Sequence, residues 1–196
     1  MRRVLLTLLF TLPTAAYSQA LAIYGTFSPA HLSNVQTGAV YSATGGYVNQ
    51  TASYWSSGFG GGVTANFLPI GPLRIGFDLR GSVKPGSIGA NYALFGFKVG
   101  VHPPVLKIRP YGQFSVGYLS SSTNNVSTPA GQTTGTIGGI FGNKYAAWEV
   151  VGGLDYPLLS HLDVRVLELG VGGALSVGGN YNPTLFTVNS GLVVHF

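Results

Sequence analysis

His31-Leu32-Ser33-Asn34 sets a histidine two residues from a serine, and on an extended backbone those two positions project from one face. An imidazole beside a hydroxyl can activate an oxygen nucleophile, provided that an acid orients the ring. The segment has no such acid: the first Asp or Glu of the chain is Asp78. The pair therefore reads as a strand end followed by a polar loop, and no catalytic residue is expected. His31, His102, His161 and His195 stand apart, and no His/Asp/Glu pair has ligand spacing on one face, so neither a metal nor a cofactor is expected. The glycine run at residues 58–62 is not a phosphate loop, because no Lys-Ser/Thr follows it.

The charged residues carry the stronger pattern. In Leu73–Val83, Leu73, Ile75, Phe77 and Leu79 alternate with Arg74, Gly76, Asp78 and Arg80, which puts every charge on one face of a strand. The same period places Lys98, Arg109, Glu149, Asp155, Asp163 and Arg165 opposite apolar neighbours. Arg74, Asp78, Arg80, Lys98, Arg109, Glu149, Asp155, Asp163 and Arg165 thus form a candidate inward set of both signs. Buried charges need partners, since an unpaired one costs several kcal/mol, so a paired polar network is expected. Gly76, Gly96, Gly100 and Gly117 are expected to make room for the long side chains. The alternative is a narrow ion or solute path lined by the same residues. Strict alternation turns Glu168 outward; either a bulge shifts the register there or Glu168 lies near a membrane interface.

Eight strand-like segments would position these residues: 21–31, 54–67, 73–83, 91–101, 107–119, 145–156, 161–171 and 185–196. Short proline-marked turns at 68–72, 102–106 and 157–160 alternate with long Gly/Ser/Thr/Asn-rich stretches at 33–53, 120–144 and 172–184. Short periplasmic turns and longer external loops are the rhythm of a transmembrane β-barrel. The expected fold is all-β: an eight-stranded antiparallel up-and-down transmembrane barrel. Ten strands result if residues 39–48 or 135–140 form hairpin arms. Tyr24, Tyr54, Trp55, Tyr118, Tyr145, Trp148 and Tyr156 fall toward strand ends, where amphipathic rings favour the membrane interface.

The ends and the composition agree with this reading. Arg2 and Arg3, the apolar run at 4–12 and small residues up to Ala20 form a secretory signal peptide, with cleavage expected after Ser18 or Ala20. The domain reading is a signal peptide over 1–20 and a barrel over 21–196. Charged residues make up 8% of the chain, where a soluble domain carries about a quarter. The net charge of +5 falls to +3 without Arg2 and Arg3, too weak and scattered for nucleic acid. There is no cysteine, so strand closure and packing must supply stability without disulfides.

Residues 189–196 alternate Asn189, Gly191, Val193 and His195 against Ser190, Leu192, Val194 and Phe196. A bare apolar strand face would be an aggregation template in water, but it suits a closing strand that meets lipid. With Asn189, Gly191, Val194 and Phe196 the segment resembles the C-terminal assembly signal of outer-membrane barrels. Together with the run from Arg109 through Tyr118, Arg109-Pro110-Tyr111-Gly112-Gln113-Phe114-Ser115-Val116-Gly117-Tyr118, the chain resembles the small OmpA-like outer-membrane β-barrel family. That resemblance implies a porin-like barrel in a Gram-negative outer membrane. It also implies outer-membrane lipids and the barrel assembly machinery as partners, and no peptidoglycan-binding domain after Phe196. The His31 element also resembles the His-x-Ser-Asn element of outer-membrane lipid A deacylases, where His is the base and Ser the nucleophile. In this chain it ends the first strand and does not lie late in the sequence.

An eight-stranded barrel has an interior that side chains can fill. The leading reading is accordingly a non-enzymatic outer-membrane protein of structural or surface-interaction type, with a filled lumen and polar external loops for an unidentified ligand. A narrow channel or small-solute carrier is the alternative, and a lipid A-modifying enzyme the third. The sequence carries no reading of oligomeric state.

Overall fold

Alternating side chains on long antiparallel strands build a two-faced wall in the computed structural model, which describes residues 21–41, 47–85, 88–123, 141–175 and 183–196. The signal segment 1–20 and the arm considered at 135–140 lie outside the described residues. Ten strands follow in chain order: β1 Leu21–Phe27, β2 Ala30–Tyr41, β3 Tyr47–Ser56, β4 Phe59–Ile70, β5 Leu73–Val83, β6 Ile88–Val101, β7 Arg109–Thr123, β8 Phe141–Leu159, β9 Leu162–Leu175 and β10 Thr184–His195. Neighbours pair antiparallel in the order β1-β4-β5-β6-β7-β8-β9-β10, and β10 pairs back onto β1 from Ala22↔His195 to Phe27↔Ser190. This closes an eight-stranded transmembrane-type barrel. Closure satisfies the backbone without leaving a sheet edge in the wall.

The two remaining strands prolong the first hairpin. β2 continues the line of β1 along β10, with Ala30 opposite Thr187 and Ser33 opposite Thr184, and β3 continues the line of β4. The break falls at Ser28-Pro29, where Pro29 has no N–H to give, and faces Ser57-Gly58 on the other stave. The ladder is bridged there by Ser28 N–H to the Gly58 carbonyl (2.9 Å) and Val188 N–H to the Pro29 carbonyl (3.0 Å). The stretch at 33–53, read from sequence as a polar loop, is therefore largely a β-hairpin paired as far as Tyr41↔Tyr47. The arm considered at 39–48 takes in its last described pairs, Val40↔Val48 and Tyr41↔Tyr47, and residues 42–46 lie outside the described residues. Local pairing overrides a composition that reads as loop.

At one rim, the turn rim, the connections are short; Gly71 takes φ +58° in one of them, a conformation suited to glycine. Leu21 and Phe196 meet at this rim, where Phe196 N–H donates to the Leu21 carbonyl at 2.9 Å. The other end is the loop rim. Outside the wall, Phe95, Phe97, Val116, Val150, Val171 and Leu192 are exposed, and along the belt Phe77 stacks on Phe67 and lies tilted against Phe97, with centroids 4.8 Å apart in both contacts. A contiguous apolar belt of this kind is unfavourable in water and suits hydrocarbon.

Candidate functional site in the barrel lumen

The inward positions divide into three layers. Nearest the loop rim is an apolar cluster of Leu32, Val35, Leu94, Leu119 and Leu185 with small residues between, and Tyr54 and Tyr145 pack against it. Below it Lys84, 1% exposed, donates to Ser82 Oγ at 2.7 Å and lies over the Tyr92 ring at 4.5 Å. Burial lowers this ammonium to a pKa of about 8.

The central layer is a charge network built from seven strands. Arg80 on β5 donates from Nε to Asp78 (3.2 Å), from Nη1 and Nη2 to the two oxygens of Glu168 (3.1 Å each), to Glu149 (3.4 Å) and to Gln113 (3.0 Å). Arg165 on β9 holds Asp155 through Nε at 3.0 Å and Glu168 through Nη1 at 3.0 Å, and its guanidinium lies over the Tyr24 ring at 4.3 Å. Asp78 also accepts from Thr64 (2.6 Å), Tyr24 (2.8 Å) and Gln113 (2.9 Å). Glu149 accepts from Thr187 (2.7 Å), and Glu168 from Asn189 (2.7 Å) and the Tyr111 hydroxyl. Each charge thus has several partners, the condition under which buried ions are tolerated. Arg165 and Glu149 are 0% exposed, Glu168 1% and Arg80 4%, and the space beside Arg80 and Glu168 is about 10 Å³, room for no more than one water. Lys98 sits at the lower margin, 3.8 Å from Asp155 and 4.0 Å above the Tyr111 ring.

The third layer lies at the turn rim. Arg109 donates to Asp163 Oδ2 at 2.7 Å, and His195 Nε2 lies 2.9 Å from the same oxygen. Arg74 is half-buried here, away from the central network. The nine charged residues read from sequence thus separate. Asp78, Arg80, Glu149, Asp155 and Arg165 come together with Lys98 beside them, while Arg109 and Asp163 pair elsewhere and Arg74 joins neither group.

Glu168 joins the centre through a bulge. Val166 and Leu167 both face outward, 54% and 40% exposed, and the pairing with β8 steps from Leu154↔Leu167 to Asp155↔Arg165. One extra residue on β9 resets the alternation, which decides the alternative left open for Glu168. Tyr24, Thr64, Thr187 and Asn189 were also missed as network members; their inward parity was legible, but their partners lie on strands far away in sequence. Tyr24 is a correction: expected at the membrane interface, it is 6% exposed in the lumen, because its hydroxyl finds Asp78 there. Tyr54 and Tyr145 likewise cover the inner apolar cluster, whereas Trp55, Tyr118 and Tyr156 are exposed.

Two glycines outside the expected set make room for the network most directly. A Cβ on Gly170 would overlap Thr187 Oγ1 and Glu149 Oε1, and one on Gly153 would enter the Tyr111 ring. At Gly76, Gly96 and Gly117 a Cβ would meet chiefly the backbone of adjacent strands, and at Gly100 only distant atoms.

His31 and Ser33 flank the inward Leu32, with Ser33 Oγ 3.4 Å from His31 Nδ1. The ring of His31 packs on Trp55, centroids 5.1 Å apart. All five Asp and Glu side chains are buried in the lumen, on the far side of the wall from this pair, so none orients the histidine. Of the closing segment, Asn189 faces inward, Val194 and Phe196 are exposed, and Gly191 abuts the Gly25 carbonyl.

No protein-family model and no curated protein sequence matches the chain. Among solved structures, the chain is similar to surface protein A of Neisseria, at 14% identity and a TM-score of 0.49, over 89% of this chain and 99% of that one. The N-terminal β-barrel domain of Pseudomonas aeruginosa OprF matches at 9% identity and a TM-score of 0.46, over 88% and 98%. The outer membrane protease OmpT of Escherichia coli matches at 10% identity and a TM-score of 0.44, over 90% and 96%. At such identities and scores, what those proteins do does not transfer to this chain.

Proposed function

We propose that this chain is an integral outer-membrane protein of structural or surface-interaction type: a closed barrel that holds its loop rim, with the β2–β3 hairpin, outside the cell. The observation that carries this reading is the central layer, in which Arg80, Glu149, Arg165 and Glu168 interlock across the lumen at 0–4% exposure. A charge network packed this closely across the lumen blocks solute passage and stiffens the wall. The apolar belt supports contact with outer-membrane lipids. The uncharged stretch from Ser33 to Ser53 favours contacts through hydroxyl, amide and aromatic groups with an external ligand. No catalytic role is assigned to His31 and Ser33, since the acid that a triad needs is missing beside them. Asn189, Gly191, Val194 and Phe196 are proposed as the segment that the barrel assembly machinery reads; normal membrane levels of a chain lacking Phe196 would refute that role.

Planar-bilayer recording tests the closed lumen. Wild-type protein is expected to give no unitary conductance. Steady single-channel steps whose selectivity changes in Arg80→Glu would establish the channel reading instead. Altered lipid A in cells overexpressing the wild type, but not Ser33→Ala, would establish the enzymatic one.

A further inference from the structure

Below the central layer, at the turn rim, the lumen opens into a cavity of about 40 Å³. One water needs roughly 10–15 Å³ of such space, so it has room for about three. Two features set its lining apart. Arg74 faces no carboxylate partner among the described residues: Asp155 is held by Arg165 and Lys98, and Asp163 by Arg109 and His195. In addition, three buried polar atoms on the lining residues have no hydrogen-bond partner: Asp163 Oδ1, His195 Nδ1 and His102 Nδ1. Asp163 itself is only 2% exposed.

The chemistry of these atoms defines what would satisfy them. Asp163 Oδ1 can only accept. His195 turns Nε2 toward the Asp163 carboxylate, so Nε2 carries the hydrogen and, in the neutral ring, Nδ1 is an acceptor too. His102 is neutral at pH 7, held down to about 4 by burial and by the nearby Arg109 and Arg74, and its Nδ1 can take either role by tautomer. Arg74 only donates. Lys98, Arg74 and Arg109 outnumber Asp155 and Asp163 in the lining by one charge. The missing group is therefore small, anionic and itself a hydrogen-bond donor.

We propose that this vestibule binds a compact oxyanion that keeps a proton, of the phosphate-monoanion class, entering from the turn rim. Arg74 donates to the unprotonated oxygens, and P–OH groups donate to Asp163 Oδ1 and His195 Nδ1. The central layer makes the site blind-ended, so it is a receptor or storage site and does not form part of a path. Free phosphate and a lipid headgroup share the anion, but a phosphodiester has no P–OH to give.

Titration of the folded full chain in phosphate-free detergent, by calorimetry and ³¹P NMR, tests this with inorganic phosphate and with sulfate, which carries no proton at pH 7. Phosphate is expected to bind saturably and at least about tenfold more tightly than sulfate, because acceptors left unpaired are costly. Arg74→Gln is expected to weaken phosphate about tenfold or more without lowering the unfolding midpoint, since Arg74 pairs with no carboxylate among the described residues. Asp163→Asn is expected to narrow the phosphate–sulfate difference, because its amide can donate. The proposal is overturned if phosphate does not saturate below about 10 mM, if sulfate binds equally well, if Arg74→Gln has no effect, or if a short-chain phosphatidylglycerol competes as well as phosphate.

Discussion

Replacing Arg80 by methionine tests how far the lumen depends on charge pairing. The central layer holds Asp78, Glu149, Asp155 and Glu168 against Arg80, Arg165 and Lys98. Removing Arg80 leaves those four carboxylates facing two cations and takes donors from Asp78, Glu149, Glu168 and Gln113 at once. Breaking a buried pair in this way costs about 3–5 kcal/mol. Protonation of one carboxylate sets a ceiling on that cost. From an ordinary glutamate value of about 4.3, at about 1.36 kcal/mol per pH unit, the ceiling is about 4 kcal/mol at pH 7 and about 1 kcal/mol at pH 5. The sign follows from proton binding: the folded variant holds a proton that the unfolded chain has released at neutral pH, so the deficit grows as pH rises. Urea unfolding in lipid vesicles, followed by tryptophan fluorescence at pH 5 and 7, measures it. Arg80→Met with Glu149→Gln restores the balance of charge, and the amide oxygen still accepts from Thr187. The double variant is expected to recover all but about 1 kcal/mol. A single variant within about 1 kcal/mol of wild type at pH 7, with no pH dependence, would refute the reasoning, because the network would then contribute shape alone.

Other perturbations separate the two faces of the wall. Val150, exposed at the level of the central network, is expected to lose about 2–4 kcal/mol of vesicle-bound stability as Val150→Lys; a loss under about 1 kcal/mol would contradict its contact with hydrocarbon. Gly170→Ala drives a methyl into Thr187 and Glu149, and a destabilisation of about 1–3 kcal/mol is expected in the same unfolding assay. His102, held down to about 4 chiefly by burial, binds its proton less readily folded than unfolded. Stability is therefore expected to fall between about pH 6.5 and pH 4, and less steeply in His102→Gln; identical pH profiles for the two proteins would count against it.

Much of the wall was legible from period two alone. Side-chain alternation is a local property of the extended backbone, so Leu73–Val83 displays its inward Asp78 and Arg80 and outward Phe77 and Leu79 without reference to any other strand. Short proline-marked turns and the apolar closing strand likewise declared a barrel, because edge closure and lipid contact constrain composition directly. The bulge at Val166 and Leu167 was not legible: one inserted residue costs little locally, and its benefit, an inward Glu168, exists only once Arg80, Arg165, Tyr111 and Asn189 surround it. The β2–β3 hairpin was legible only as an alternative arm at 39–48, because its glycines and asparagines are depleted in strands and favour turns, and its pairing with β10 is not local.

The sequence by itself determined which residues face lipid and which face inward wherever period two runs unbroken, since that follows from parity; at Val166–Glu168 the bulge changed it. Only the tertiary structure decided the partners. Arg80 and Glu168 lie 88 residues apart and meet because the wall closes, and closure likewise leaves Arg74 beside an open vestibule and not in the network. Electrostatic pairing acts over a few ångströms in space, and separation along the chain carries no information about it until β1 and β10 are joined.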